Sequence, residues 1–193
     1  MRELILASGS AIRKEMLERA GVTVQTVVSH VDEKTISGED LWARARRLAT
    51  EKAKAVAPAY PGMLVIGADQ VGALLDDPFR ELQKCQNEEE ARRQLSKMQG
   101  RTHRFLSAAT IVRDATVVET VEQKADVTFR HLSPATIDWY IASQEWKGSC
   151  GGYQIENRGA QLVSAVDGSL HAVLGLPLFP LLNALHALTE DGA

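Results

Sequence analysis

Apolar positions along this chain come in short blocks whose spacing switches between strand and helix periods, and those switches lay out the elements. Leu4-Ile5-Leu6 is an apolar run of strand length, and it passes through Ala7-Ser8-Gly9-Ser10 into Ala11 to Ala20, where the spacing turns helical. Val22 to Val28 alternates and is rich in β-branched residues, which predicts a second strand. Asp40 to Ala57 carries a helical period that ends before Pro58. Leu64-Val65-Ile66 predicts a short buried strand stopping at Gly67-Ala68-Asp69-Gln70, and Val71 to Leu75 leads on into the turn Asp76-Asp77-Pro78.

Downstream, Asn87 to Gln99 reads as a charged helix with Ala91, Leu95 and Met98 on one face and Gly100 as its terminator. His103 to Val112 and Thr116 to Phe129 predict a long hairpin around Arg113-Asp114. Ser133-Pro134 supplies an N-cap and a proline at the first position of a helix reaching Ala142. A glycine-rich segment, Gly148 to Gly159, precedes a strand Gln161 to Val166, the turn Asp167-Gly168, a final strand His171 to Leu174 and a closing helix Leu178 to Leu188. Strands and helices mix without strict alternation, so the expected fold class is α/β with a mixed sheet. The 193 residues suffice for one domain, and the long hairpin suggests two lobes around a central cleft.

Composition narrows the partners. With 22 basic and 25 acidic side chains the net charge is −3, which argues against a nucleic acid polymer and leaves room for a small anionic ligand. Cys85 and Cys150 are the only cysteines and lack metal-ligand spacing, so neither a disulfide framework nor a zinc site is expected. No long apolar h-region or spanning segment is evident, which points to a cytoplasmic protein without a membrane partner.

The chemistry begins at the first loop. A strand that becomes a helix through small hydroxyl residues turns backbone N–H groups and a positive dipole end toward one point, a setting that suits phosphate. The plainer alternative is a strand-loop-helix start in which Ser10 only caps the helix. Asp69, directly after a buried strand, is expected at a strand's carboxyl end, where open sheets hold ligands; a solvated turn aspartate is the competing reading. Arg13, Lys52 and Lys84 offer cations for phosphate oxygens, while Asp69 and Glu33 offer carboxylates to hold a divalent metal or orient a water. The five histidines have no metal-pair spacing and read as structural or surface groups. Ser8 has neither a nearby His-Asp pair nor a nucleophile elbow, so a serine hydrolase is poorly supported.

Taken together, these residues resemble the Maf family of nucleoside triphosphate pyrophosphatases over nearly the whole chain. Leu6-Ala7-Ser8-Gly9-Ser10 with Arg13 resembles the family's opening Leu-Ala-Ser-x-Ser-Pro-Arg-Arg pattern, and Glu51-Lys52-Ala53 its Glu-Lys-Ala helix. Ile66-Gly67-Ala68-Asp69 resembles the acidic motif, Gly100-Arg101-Thr102-His103 the Gly-x-Thr-His stretch, and Gly175-Leu176-Pro177-Leu178 the closing motif. The resemblance implies one Maf-like domain over residues 1–193, with a fold like that of the inosine triphosphate pyrophosphatases. It also implies hydrolysis of a nucleoside triphosphate to monophosphate and pyrophosphate with a divalent cation, Mg or Mn. Asp69 would be the catalytic base, Ser8, Arg13, Lys52 and Lys84 phosphate ligands, Glu33 a metal group with Asp69, and a homodimer the family-level expectation.

Three positions bear on the substrate. The dTTP/UTP branch carries two adjacent arginines, Gly-Ala-Asp-Thr and a late glutamine; here Ile12, Gln70 and Glu156 stand in those places. They resemble instead the 7-methyl-GTP branch, as does Phe129-Arg130-His131-Leu132-Ser133. The base of 7-methyl-GTP is cationic, so an apolar Ile12 avoids repulsion, and a carboxylate at Glu156 accepts hydrogen bonds from the guanine N1–H and N2–H₂ edge. The chain departs from the family at Ala11, at Gln83-Lys84-Cys85 and at Cys150-Gly151-Gly152-Tyr153. The alternatives are a dTTP/UTP pyrophosphatase, or a nucleotide-binding regulatory module without turnover.

Overall fold

The protein is described here by a computed structural model covering residues 4–75 and 81–190. The expected turn at Asp76-Asp77-Pro78 lies outside the described residues. Six strands form one mixed sheet in the order β2-β1-β3-β4-β5-β6. They are β1 (Leu4–Ala7), β2 (Val24–Thr26), β3 (Val65–Leu74), β4 (Thr102–Arg113), β5 (Thr116–Phe129) and β6 (Val163–Gly168). β1 runs parallel to β2 and β3, with Leu6 opposite Ile66, whereas β5 and β6 are antiparallel. The helices are α1 (Ala11–Arg19), α2 (Leu41–Val56), α3 (Glu88–Met98), α4 (Pro134–Ala142), α5 (Leu170–Val173) and α6 (Leu178–Glu190).

Local chemistry accounts for several boundaries. The Asp40 carboxylate accepts from the N–H groups of Trp42 and Ala43 at 3.1 and 3.0 Å, which starts α2. From there Leu41, Ala45, Leu48, Ala49, Lys52, Ala53 and Val56 form its buried stripe. Asn87 caps α3 and Ser133 caps α4 in the same way. The β4–β5 turn is centred on Asp114-Ala115, one residue later than the spacing predicts, and both residues have positive φ, 47° and 64°. That left-handed pair matches the twist of a two-residue hairpin.

Three sequence expectations need correction. The break at Gly67–Gln70 is absent: β3 runs unbroken from Val65 to Leu74, so Asp69 lies in mid-strand and not in a turn at its end. Gly67 serves packing, since a Cβ there would meet the Ala49 carbonyl oxygen at 2.0 Å and the Ala53 nitrogen at 2.6 Å. The expected final strand His171 to Leu174 is instead the short helix α5, entered from Gly168 at φ 105° through the turn bond from Ala172 N–H to the Ser169 carbonyl. Residues Arg158–Leu162 form a 3-10 helix, so β6 begins only at Val163.

The chain divides into two compact units. The first comprises residues 1–70, 106–123 and 174–193, and the second 71–105 and 124–173. In the first, Leu4, Leu6, Ile66 and Ala68 pack with α1 and α6 on one face of the sheet, while Ile5, Ala7 and Val65 pack with Ala53 and Val56 of α2 on the other. In the second, Phe105, Phe129, Tyr140, Trp146 and Tyr153 form an aromatic-rich core with α3 and α4. Among the described residues no helix is long and apolar enough to cross a membrane.

Candidate active site

Strand alternation decides which way the acidic motif faces. Asp69 shares a face with Val65 and Gly67, the face covered by α2, and the glycine brings the helix close enough for Lys52 to reach the carboxylate. Lys52 Nζ donates to Asp69 Oδ1 at 2.5 Å and also pairs with Glu33 Oε1 at 2.7 Å. Lys52 and Asp69 are both only 7% exposed, whereas Glu33 is open to solvent. Two carboxylates from distant parts of the sequence thus converge on one ammonium, and two of the three groups are buried.

This cluster can orient a water and receive its proton, because Asp69 is fixed by its partner and Glu33 opens it to solvent. Its donors toward a metal are carboxylate oxygens alone, the chemistry Mg²⁺ or Mn²⁺ prefers. Among the described residues no group of three or more His, Cys, Asp and Glu side chains is arranged to hold a metal ion. Asp69 and Glu33 are the two carboxylates that could be offered to a hard cation, and both are paired with Lys52 Nζ.

On the opposite face Arg13 ties three segments together. Its Nε donates to the Gly175 carbonyl at 2.7 Å, and its Nη1 to the Ala68 carbonyl at 2.9 Å and to Ser8 Oγ at 3.3 Å. The guanidinium thereby holds the backbone immediately before Asp69. Ser8, 7% exposed, also accepts from the Ser10 N–H at 3.2 Å. Ser10 sits at the N-cap of α1 without a side-chain cap bond, so the plain capping role is not the one it plays.

Of the remaining sequence candidates, Ile12 is partly buried against the apolar cluster under α1 and α6, and Gln70 is half-buried at the end of the acidic motif. Lys84 and Glu156 belong to the second unit and are exposed. Lys84 is held through its backbone, in an isolated antiparallel bridge with Cys150. The first unit therefore holds two groups, Ser8 with Arg13 and Glu33 with Lys52 and Asp69, joined through the Ala68 carbonyl just before Asp69, with Gln70 next in sequence; Lys84 and Glu156 lie in the second unit.

His103, expected from the sequence to be a structural or surface group, forms a buried polar pair with Tyr153. His103 is fully buried, with Nε2 2.8 Å from the Tyr153 hydroxyl. Burial holds the imidazole near pKa 3, only partly offset by the charge of Asp126, and burial also pushes the Tyr153 phenol well up. The signal for it in the sequence is the Thr102-His103 dipeptide at the start of a strand that is apolar or small from Phe105 to Val112.

The site is built on a six-stranded mixed α/β sheet whose central strand β3 carries Asp69 of a buried Lys–Asp pair. Residues 3–188 match the family of Maf-like proteins, and the chain belongs to that family. It is 41% identical to the 7-methyl-GTP pyrophosphatase of Mesorhizobium japonicum over 197 residues, covering 96% of both chains. It is 38% identical to the dTTP/UTP pyrophosphatase of Bacillus cereus over 192 residues, covering 99% of this chain and 98% of that one. In fold it is similar to the Staphylococcus aureus Ham1 protein, with a TM-score of 0.54 at 16% identity over the whole of both chains.

Proposed function

We propose that this protein hydrolyses a nucleoside triphosphate to the monophosphate and pyrophosphate, with 7-methyl-GTP or a related modified purine nucleotide as its substrate. The observation that carries the reaction is the ammonium of Lys52 held between Asp69 and Glu33. Asp69 accepts the proton of the water that attacks the α-phosphorus, and Lys52 keeps that carboxylate aimed while donating to the phosphate oxygens. Ser8 and the N-terminus of α1 receive phosphate oxygens, with Arg13 holding both the loop and the strand before Asp69. A divalent cation, Mg or Mn, bound through Asp69 and Glu33 would neutralise charge on the leaving pyrophosphate.

Substrate choice rests on Ile12, Gln70 and Glu156. The two curated relatives differ in substrate and lie within a few per cent of each other in identity, at 41% and 38%, so the choice falls on these side chains. Ile12 presents no cation to a cationic base, Gln70 offers an amide where the other branch has a threonine, and the Glu156 carboxylate suits a guanine edge. Lys84 serves as a further phosphate cation. Cys85 and Cys150 stand outside any disulfide, which suits a reducing cytoplasm.

A panel of 7-methyl-GTP, GTP, dTTP and UTP with Mg²⁺ or Mn²⁺, read by pyrophosphate release, tests this. Release is expected to be fastest from 7-methyl-GTP. Turnover of dTTP and UTP alone overturns the substrate assignment, and tight binding without pyrophosphate points to a regulatory module.

A further inference from the structure

The glycine-rich segment that carries Glu156 is fastened at its centre by two buried tyrosines. Tyr153 has its hydroxyl 2.8 Å from His103 Nε2, and the Tyr140 hydroxyl accepts from the Gln154 N–H at 3.0 Å. The imidazole stands edge-to-face in a box of Phe105, Phe129 and Tyr153, with centroids at 5.5, 5.0 and 5.6 Å. Beyond the pin, the chain turns tightly. The Asn157 N–H bonds back to the Gln154 carbonyl, and a Cβ at Gly159 would meet that carbonyl oxygen at 2.3 Å. Three residues before Tyr153, Cys150 bridges to Lys84. Three residues after it stands Glu156, whose charge is felt at both tyrosine hydroxyls.

We propose that the His103–Tyr153 hydrogen bond is a positioning device that sets Lys84 and Glu156 by pinning the segment between them, and so governs discrimination between bases. The inference rests on the reading of the protein as a nucleotide pyrophosphatase. Among the described residues His103 Nδ1 has no hydrogen-bond partner. If Nε2 carried the proton, both the Nδ1 lone pair and the tyrosine O–H would be left unpaired. If the hydroxyl donates to Nε2, only one Nδ1–H is orphaned, and it meets aromatic rings. A packed apolar pair would avoid even that loss, since replacing both partners of a buried hydrogen bond by apolar groups is close to neutral for stability. A core that keeps the bond gains direction from it: the hydroxyl fixes where Tyr153 ends, and with it the backbone at Gln154. The imidazole stays neutral across the physiological range, so the pin does not titrate away.

The test uses the full-length protein in three forms: wild type, Tyr153→Phe, and the double variant His103→Leu with Tyr153→Phe, which leaves no polar group orphaned and protects folding. Amide hydrogen exchange over residues 148–160 is compared with that of α2, alongside kcat and KM for 7-methyl-GTP and UTP. Faster exchange confined to 148–160 is expected, with a loss of about tenfold or more in the ratio of the two kcat/KM values, arising mainly in KM. A lowered Tm with unchanged local exchange and unchanged ratio overturns the proposal and leaves the pair a packing element. If wild type releases no pyrophosphate from any nucleotide, the pyrophosphatase reading fails by itself. The pin is then judged on exchange and on the ranking of 7-methyl-GTP against UTP in equilibrium binding, where an unchanged ranking in the double variant overturns it.

Discussion

At the scale of single residues, the buried ion pair sets the terms. Removing one partner of a buried pair strands the other charge, whereas removing both does not. Lys52→Met is therefore expected to cost about 3 kcal/mol in urea unfolding, and Lys52→Met combined with Asp69→Leu to recover most of that loss. A double-variant cost equal to the sum of the Lys52→Met and Asp69→Leu costs would mean that the pair carries no coupling. His103 makes the second prediction. Its folded pKa, about 3, lies below the ordinary value of 6.5, so the unfolded chain binds the extra proton first. The stability this burial contributes is complete above pH 6.5 and is lost as the pH falls toward 3. The slope is expected to reach about 1.4 kcal/mol per pH unit in that window, and His103→Gln to flatten it in denaturant titrations at several pH values.

At the scale of elements, Gly67 decides how the site is assembled. A methyl group there would run into the backbone of α2 at Ala49 and Ala53 and force the helix off β3. Gly67→Ala is expected to destabilise by about 2 kcal/mol or more, measured as a shift in urea midpoint, and to lower turnover further by moving Lys52 from Asp69. An unchanged midpoint would show that the strand and helix have room to separate. The same glycine explains what the sequence made legible. Helices α2 and α3 are readable from their apolar stripes and α4 from its Ser133-Pro134 cap, because a capping side chain and a 3.6-residue period are local facts. Gly67-Ala68-Asp69 looked like a turn because glycine's local meaning is conformational freedom, while its use here is a close approach by a helix distant in sequence. His171 to Leu174 misled for a similar reason: four residues carry too little pattern to tell strand from helix.

At the scale of the molecule, each compact unit is assembled from separated stretches of chain. The first unit draws its core from Leu6, Ile66, Ile111 and Leu176, which lie in three different segments. A fragment ending at Leu75 lacks β4, β5 and α6, so it is expected to show no cooperative unfolding by circular dichroism. The sequence marked the candidate side chains by motif, and the fold pairs Ser8 with Arg13 and Lys52 with Asp69. It did not show that Arg13 spends two of its bonds on backbone carbonyls or that Glu33 shares Lys52 with Asp69, because both depend on the folded path of other segments. With a net charge of −3, the overall field does not favour a triphosphate, so the proposed substrate would depend on local cations.

The most direct test of the whole account is pyrophosphate release from 7-methyl-GTP by wild type and Asp69→Asn, side by side with UTP. The expected result is turnover of 7-methyl-GTP ahead of UTP in wild type and a loss of about 10²- to 10⁴-fold in Asp69→Asn, with the fold intact by circular dichroism. Undiminished release by Asp69→Asn would contradict the assignment of the buried carboxylate as the base.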